Sequence, residues 1–383
     1  MPQYNHALVF GASGLTGWGV VDQLLKGYPE KGTFNRVSAL INRPLELAHT
    51  GWTIDSPGGP KIQLVPYVNL LEGSVDDFAN ELNSKVESLQ TVTHAFYFAY
   101  KSDDDLDKEI KINCAMLDHA LGALERFSPE LKFVVFPGGT KTYGISQPGG
   151  LPWSPPLKES MRLSPPACDQ VHYYKFEDIL AERSKGTKWT WCEVTPDAVT
   201  GFVPNGSAHS LNALWGLYLA VFAAVEGNGA TVPFPGSEGG WHAMFNEGSA
   251  EIIAKLSIWA CLNTEKTSGE RFNVADCASP STMEERWPVL ANFFGLKGAG
   301  PDGKMVKPSE YIAKHQDRPG INVNQVWGAE RMDWFGYYLS FHRHMSLEKA
   351  RLAGFVEELD PNLSWLKSFR QMQNAGLLPV AIT

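Results

Sequence analysis

The sequence predicts an α/β fold, a doubly wound parallel sheet with a smaller, mostly C-terminal lobe. Three observations predict this class. Apolar runs of strand length alternate with helix-length runs up to residue 196, a glycine-rich turn joins the first strand to the first helix, and the alternation stops in the second half. Strands that alternate with helices form parallel sheets with helices on both faces. Because a glycine turn opens the first helix, we expect the nucleotide-binding Rossmann type of sheet.

The spacing of apolar residues places six strands and three of the helices. The strands are expected at 6–10, 36–41, 62–66, 94–99, 133–136 and 189–194. The helices are expected at 75–89, 106–127 and 173–183, and the long second helix is expected to bury Ile110, Ala115, Leu117 and Leu121. Residues 141–169 contain six prolines and predict a long loop, which in a compact domain is usually functional. The uncharged run 211–225 is short for a membrane span and predicts a buried helix.

The first turn carries the pattern G-x-x-G-x-x-G. The residues 11–17, GASGLTG, follow the first strand and precede an apolar helical run. Glycines permit a tight turn and a close approach of the backbone to a pyrophosphate, and the helix N-terminus offers unbonded N–H groups to it. A tight turn without a ligand is the alternative. The pattern predicts a dinucleotide site with contacts from Gly11, Ser13, Gly14, Leu15, Thr16 and Gly17.

The end of the second strand indicates which dinucleotide binds. Asn42 and Arg43 stand where an acidic residue would bind the ribose 2′-hydroxyl of NAD, whereas an arginine suits the 2′-phosphate of NADP. We therefore expect NADPH as the cofactor, with a surface arginine of no such role as the alternative for Arg43. Further cofactor contacts are expected where other strands end and along the loop that follows, from Asn69, Leu70, Ala99, Tyr100, Lys141, Tyr173, Pro196 and Val199.

Composition excludes several classes of partner. The 383 residues carry a net charge of −9 without a dense lysine and arginine cluster, so neither nucleic acid nor an anionic membrane is expected as a partner. The five cysteines are odd in number and lack metal-ligand spacing, so neither a disulfide scaffold nor a metal site is expected. Reduced thiols suit a cytoplasmic protein. The sequence leaves open whether the chain forms a homodimer.

We divide the chain after the sixth strand. Residues 1–196 are expected to form the NADP(H)-binding Rossmann domain, and residues 197–383 are expected to complete the sheet and form the substrate-binding lobe. The second part is rich in large aromatic residues, namely Trp215, Trp241, Trp259, Trp287, Trp327, Trp334 and Phe335. These residues suit a dry, apolar pocket, with plain core packing as the alternative.

A lysine and two tyrosines border the same crevice. Lys141 follows the fifth strand, and Tyr173 and Tyr174 open the next helix. Hydride delivery builds negative charge on a carbonyl oxygen, to which a phenol can donate a hydrogen bond or a proton, and a neighbouring ammonium is expected to lower the phenol pKa. The Y-x-x-x-K helix motif of ordinary short-chain dehydrogenases is absent, because Glu177 and Asp178 occupy the fourth position after each tyrosine.

These residues resemble the progesterone 5β-reductase and iridoid synthase family, a divergent branch of the extended short-chain dehydrogenases/reductases. The resemblance covers most of the chain and rests on GASGLTG at 11–17, NRP at 42–44, THAFY at 93–97, GTKTY at 139–143, YYKFEDIL at 173–180, FPG at 234–236 and FNV at 272–274. It implies that Lys141 and Tyr173 are the catalytic pair and that Arg43 binds the 2′-phosphate. It also implies NADPH-dependent reduction of an activated C=C bond, with the hydride added at the β-carbon and the tyrosine at the carbonyl oxygen.

Three segments depart from the family pattern in the cofactor pocket. Asn42 replaces an arginine, Ala99-Tyr100 replaces Thr-Trp, and residues 195–199 replace an R-P-G-N-I-like run. We expect an enone reductase for a bulky apolar carbonyl compound, with substrate contacts from Tyr100, Tyr143, Tyr174 and Trp241. The alternatives are an isomerase or cyclase that keeps NADP(H) without consuming it, a carbonyl reductase, and a non-catalytic NADP(H) sensor.

Overall fold

The computed structural model describes residues 4–54, 57–147, 150–207, 209–316, 333 and 335–378. Within these ranges the strands are β1 His6–Phe10, β2 Arg36–Leu40, β3 Lys61–Val65, β4 His94–Tyr97, β5 Phe133–Pro137, β6 Thr190–Thr195, β7 Ala198–Thr200, β8 Thr231–Pro233, β9 Glu247–Ser249, β10 Glu270–Asn273 and β11 Lys297–Ala299.

Seven of these strands form one parallel sheet, in the order β3-β2-β1-β4-β5-β6-β10. The chain runs outward from β1 to β3, crosses back to β4 beside β1, and continues to the opposite edge. Ligands of doubly wound sheets bind at such a reversal, outside the carboxyl ends of the strands. The predicted α/β class with a Rossmann sheet is confirmed.

Helices cover both faces of the sheet. They are α1 Leu15–Leu25, α2 Val75–Lys85, α3 Leu106–Phe127, α4 His172–Ser184, α5 Leu211–Glu226, α6 Glu238–His242, α7 Ala250–Leu262, α8 Thr264–Thr267, α9 Met283–Phe293, α10 Pro308–His315, α11 Phe335–Tyr338, α12 Glu348–Ala353 and α13 Pro361–Asn374. Because side chains alternate along a strand, Ala7 and Val9 join one core layer with α1, α5 and α7, whereas Leu8 and Phe10 join the other with α2, α3 and α4. The sheet is therefore buried on both sides.

Most predicted strands and helices begin and end within one or two residues of the observed ends, and the exceptions have local causes. The helix expected at 75–89 ends at Lys85 because Val86 adopts an extended conformation. Ala115 is exposed, so its expected core position is wrong, since the buried stripe of α3 passes through Met116 and Leu117 instead. The edge strand β10 is too short and too polar to stand out by alternation.

The second half of the chain contains an aromatic core beside the main sheet. Two short parallel pairs, β7 with β9 and β8 with β11, accompany it. Trp215 stacks on Trp365 with ring centroids 6.0 Å apart and meets Trp287 edge-on at 5.7 Å. These three rings are fully buried, so they pack the core instead of lining a pocket. Trp327 and Trp334 lie outside the described residues. No described helix combines the length and apolarity needed to cross a membrane.

Candidate active site

The glycine turn after β1 has the shape that a dinucleotide requires. Gly11 has a φ of +74°, and a Cβ there would lie 2.5 Å from the Phe98 carbonyl oxygen just beyond β4. A Cβ on Gly17 would overlap the Gly11 carbonyl, so α1 approaches the turn this closely only with glycine. The helix α1 begins at Leu15 with no side-chain cap and no acidic residue in its first turn. Its first N–H groups can therefore bind a phosphate.

The other expected cofactor residues follow the carboxyl ends of neighbouring strands. Asn42 and Arg43 are exposed after β2, and Arg43 forms no ion pair or hydrogen bond with any described residue. Asn69 shapes the turn after β3, since its side-chain oxygen accepts a hydrogen bond from the Leu71 N–H at 3.1 Å. Leu70, Ala99, Tyr100 and Pro196 follow the carboxyl ends of β3, β4 and β6, and Val199 lies in β7, just after β6.

Two glycines after β5 make room for an acidic and a phenolic side chain. A Cβ on Gly138 would overlap the carboxylate of Glu193 on β6, and a Cβ on Gly139 would lie 3.2 Å from the Tyr173 hydroxyl. This crowding disfavours a side chain at either of these two positions. Tyr173 reaches the position from the first turn of α4, so the fold brings it to the strand end that carries Lys141.

Tyr173 is a neutral phenol at physiological pH. Its hydroxyl donates no hydrogen bond to any described residue. Burial raises its pKa well above that of an ordinary tyrosine, and the nearby carboxyl groups of Glu193 and Glu109 raise it further. The net shift of this pKa is therefore opposite to the lowering that was expected from Lys141. A neutral phenol is a donor of a hydrogen bond or a proton.

Lys141 pairs with a buried carboxylate. Its ammonium lies 3.6 Å from Oε1 of Glu109, a residue of α3 whose side chain is 6% exposed. His172, at the start of α4, presents Nδ1 to the same oxygen at 3.9 Å. Burial, followed by the charge of Lys141, lowers the pKa of His172 to about 4, so its imidazole is neutral. The sequence motifs pointed to neither Glu109 nor His172.

An aromatic stack flanks the phenol. The ring of Tyr100 stacks on His172 with centroids 5.5 Å apart and 25° between the planes, and His172 contacts the Tyr173 ring at 4.1 Å. His209 meets Tyr100 edge-on at 5.7 Å. The structure thus brings Tyr100, Lys141 and Tyr173 together through Glu109 and His172. This stack was not predicted from the sequence, although a histidine directly before the tyrosine pair could have indicated it.

Three expected substrate contacts turn out to be packing residues. Tyr143 is fully buried, and its hydroxyl donates to Oδ1 of Asn273 at 2.6 Å. The buried Tyr174 donates to the Thr142 carbonyl at 2.9 Å. Trp241 packs in the core beside Phe234, with centroids 5.5 Å apart. The expectation that Tyr143, Tyr174 and Trp241 contact the substrate is corrected. The two hydroxyls are hydrogen-bonded inside the protein, and the indole ring packs in the core.

A buried ion pair lies beside the Lys141 turn. Asp197, in the segment after β6, accepts a hydrogen bond from the Thr140 hydroxyl at 2.8 Å and pairs with the Arg343 guanidinium at 2.9 Å. Arg343 is 2% exposed and lies over the Phe245 ring. The departure from the family pattern at 195–199 thus has a structural partner far along the chain. This pair ties the C-terminal part of the chain to the wall of the site.

A second buried charge network lies beneath Tyr173. Arg271 of β10 pairs with Glu193 at 3.0 Å and with Glu177 of α4 at 2.7 Å. Arg162, from the proline-rich loop, also pairs with Glu177. Glu193 is fully buried and accepts a hydrogen bond from the Thr195 hydroxyl at 2.7 Å. Burial raises the pKa of Glu193 to about 7, although Arg271 opposes this rise.

We expect Glu193 to make folding stability depend on pH. Its folded pKa of about 7 exceeds the ordinary value of 4.5, so its stabilising contribution is complete below pH 4.5 and is lost as the pH rises through 7. The loss amounts to about 3 kcal/mol at most. Denaturant unfolding at several pH values should show this decline in the wild type and not in Glu193→Gln. The exposed Glu182→Gln on α4 should behave as the wild type does, and equal pH slopes for all three proteins would contradict the assignment.

The fold and the site define a Rossmann oxidoreductase of the short-chain dehydrogenase/reductase type. A family model described as a PRISE-like Rossmann-fold domain matches residues 7–379. The chain is 32% identical to the short chain dehydrogenase sirQ of Leptosphaeria maculans, over 98% of this chain and 97% of that protein. It is 29% identical to the 3-oxo-Δ(4,5)-steroid 5β-reductase of Arabidopsis thaliana, over 95% and 91%.

A solved structure shares the fold at low sequence identity. The GDP-mannoheptose C4 reductase MlghC of Campylobacter jejuni superimposes with a TM-score of 0.61 and 12% identity, covering 97% of this chain and 99% of that one. The chain belongs to the PRISE-like Rossmann-fold family. The family resemblance expected from the motifs is confirmed.

Proposed function

We propose that the protein is an NADPH-dependent reductase of an activated C=C bond in a bulky apolar carbonyl compound. The observation that carries this proposal is Tyr173, a neutral phenol whose hydroxyl donates to no described residue and lies against Gly139 at the carboxyl end of β5. A phenol in this state suits a reaction in which an oxygen gains negative charge. The sequence relationship to a steroid 5β-reductase supports the same class of reaction.

The residues present fit a dinucleotide. A side chain at Gly11 or Gly17 would clash with backbone, so the turn keeps its tight shape only with glycine, and the first N–H groups of α1 have no side-chain cap. Arg43, which pairs with no residue in the described ranges, suits the 2′-phosphate. Tyr100, Pro196 and Val199 would flank the nicotinamide end, and NADPH supplies a hydride when it is bound.

The chain's own side chains then have distinct tasks. Tyr173 donates a hydrogen bond to the carbonyl oxygen of the substrate, which strengthens as charge develops there. Lys141, whose ammonium is half-exposed, would bind the ribose hydroxyls of a nicotinamide cofactor. The stack of Tyr100 and His172 covers one side of the phenol and helps to exclude water. Tyr100 stays in the proposal as a substrate contact because its ring is partly exposed.

The decisive experiment measures the consumption of NADPH and identifies the carbon atom that receives the new hydrogen. The purified protein is given NADPH deuterated at the transferable position together with a cyclic enone and a steroid enone as probes. Deuterium at the β-carbon of a saturated ketone supports the proposal. Deuterium on a carbinol carbon shows a carbonyl reductase instead. Substrate conversion without NADPH consumption shows an isomerase or cyclase, and NADPH binding without any conversion of either probe argues against the proposed substrate class.

Arg43→Ala is expected to weaken NADPH binding and to leave NADH binding unchanged. A charge-assisted hydrogen bond to a phosphate contributes about 1.5–3 kcal/mol, which corresponds to roughly a 10- to 150-fold loss of affinity. Titration calorimetry with both cofactors measures the two affinities. Equal NADPH affinity in the variant and the wild type would remove Arg43 from the site, and equal loss for NADH would assign it a structural role.

A further inference from the structure

Glu109 has an unsatisfied buried oxygen at the centre of the site. It lies in the first turn of α3, and its Oε1 accepts no hydrogen bond from any described residue. Its Oε2 accepts a long hydrogen bond from the Asp103 N–H at 3.4 Å. A buried carboxylate without a compensating partner is strongly disfavoured. The ammonium of Lys141, 3.6 Å from Oε1, supplies that compensation.

Charged and titratable groups from five parts of the fold surround Tyr173 and the groups that it contacts. These are Glu109 on α3, Lys141 after β5, His172 on α4, Glu193 on β6 and Tyr100 after β4. Behind Glu193 stand Arg271 and Glu177. The imidazole of His172 is neutral. Lys141 is therefore the cation nearest to Oε1 of Glu109 among the described residues, and these two opposite charges balance.

We propose that Glu109 is a positioning residue for Lys141 and Tyr173. Its Oε1 holds the Lys141 ammonium and faces the His172 ring, so that the phenol lies beside a charge-balanced pair instead of an isolated ammonium. The catalytic meaning of this arrangement rests on the proposed function. The arrangement itself is a property of the protein and can be tested without any reaction.

The balanced pair favours one state of the phenol. An isolated ammonium stabilises tyrosinate, which is a base and suits the oxidation of an alcohol. A carboxylate that cancels the ammonium preserves the phenol, which donates to an oxygen that gains charge during reduction. Glu109 therefore biases the site toward reduction.

The test measures the ionisation of Tyr173 by NMR in protein labelled with ¹³C at the tyrosine ring carbon that bears the hydroxyl. Tyr173→Phe identifies the resonance. Glu109→Gln removes the charge and keeps the shape of the side chain. Asp107→Asn is the matched control, because Asp107 is an exposed acid in the same turn of α3. Lys141→Met and the double variant Glu109→Gln/Lys141→Met complete a cycle that isolates the coupling of the two charges.

Glu109→Gln should bring the Tyr173 titration down by on the order of one pH unit, because the ammonium is then unbalanced. Lys141→Met should retain the phenol to the highest pH at which circular dichroism shows the fold intact. In the double variant, Tyr173 should titrate at a lower pH than in Lys141→Met, because the carboxylate of Glu109 that opposes ionisation of the phenol is also gone. Asp107→Asn should match the wild type. Where reduction is also followed, its alkaline limit should move to lower pH in Glu109→Gln.

Equal titrations of Glu109→Gln and Asp107→Asn would overturn the proposal. If Glu109→Gln does not fold, the comparison of Lys141→Met with the double variant replaces it, and identical titrations of those two proteins overturn the proposal as well. The titration uses no NADPH and no substrate. A failure of the proposed reduction therefore leaves this result standing, and a failure of the titration leaves the proposed reduction standing.

Discussion

Tyr173→Phe is expected to slow NADPH-dependent reduction of an enone by about 10²–10³-fold, because it removes a donor aimed at the oxygen that gains charge. The fold should be unaffected, since the hydroxyl donates no hydrogen bond to any described residue. NADPH affinity should stay close to that of the wild type, because the ring and its contact with His172 at 4.1 Å are retained. Steady-state turnover at saturating NADPH, together with the unfolding midpoint, measures both effects.

The neighbouring tyrosine supplies the matched control. Tyr174→Phe also removes one hydroxyl, but that hydroxyl accepts from the Leu163 N–H and donates to the Thr142 carbonyl, both at 2.9 Å. This variant should lose about 1 kcal/mol of stability and retain most of its turnover. A loss of turnover below tenfold in Tyr173→Phe would contradict its assigned role. A greater loss of turnover in Tyr174→Phe than in Tyr173→Phe would assign that role to Tyr174 instead.

The sheet was predictable because each of its first six strands is a short apolar run between polar or glycine-rich turns. The strand His6–Phe10 and the helix Leu106–Phe127 were placed with their observed ends. Alternation fails at β10, where Glu270 and Arg271 precede Phe272. Arg271 is buried there only because Glu193 and Glu177 pair with it. A single sequence offers no sign of such pairs, since the partners lie on other strands and helices.

The site was predictable where local backbone geometry demands a residue type. Gly11 and Gly17 stood out because a side chain at either position would clash with neighbouring backbone. Lys141 and Tyr173 were placed at one sheet edge because parallel strands end together. The pKa of Tyr173 was expected in the wrong direction, because the carboxylates of Glu109 and Glu193 come from other elements and burial dominates.

Side-chain orientation was the part that spacing did not reveal. Tyr143, Tyr174 and Trp241 have the residue types of a binding pocket, but the first two use their hydroxyls inside the protein and the third packs against Phe234. Asp197 was an unexplained departure in the sequence. Its partner Arg343 lies in a distant segment, and only the folded chain brings the two charges together.

Arg343→Met is expected to destabilise the protein by about 3–5 kcal/mol, because it leaves the buried carboxylate of Asp197 without a cation. Both side chains are nearly inaccessible, at 2% and 4% exposure, so water cannot replace the guanidinium. Asp197 also accepts from Thr140, the residue before Lys141. The variant should therefore loosen the turn that carries Lys141 as well as the fold. Urea unfolding measures the loss of stability.

Two further variants decide whether the burial of this pair causes the loss. Lys61→Met breaks an exposed pair with Glu87 and should cost no more than about 1 kcal/mol. Asp197→Asn combined with Arg343→Met should recover much of the lost stability, because asparagine carries no charge and still accepts from Thr140. Two results would contradict this explanation: a loss of stability in Arg343→Met as small as that in Lys61→Met, or no recovery of stability in the double variant. Either result would show that packing around the Phe245 ring, and not the ion pair, anchors this segment to the site.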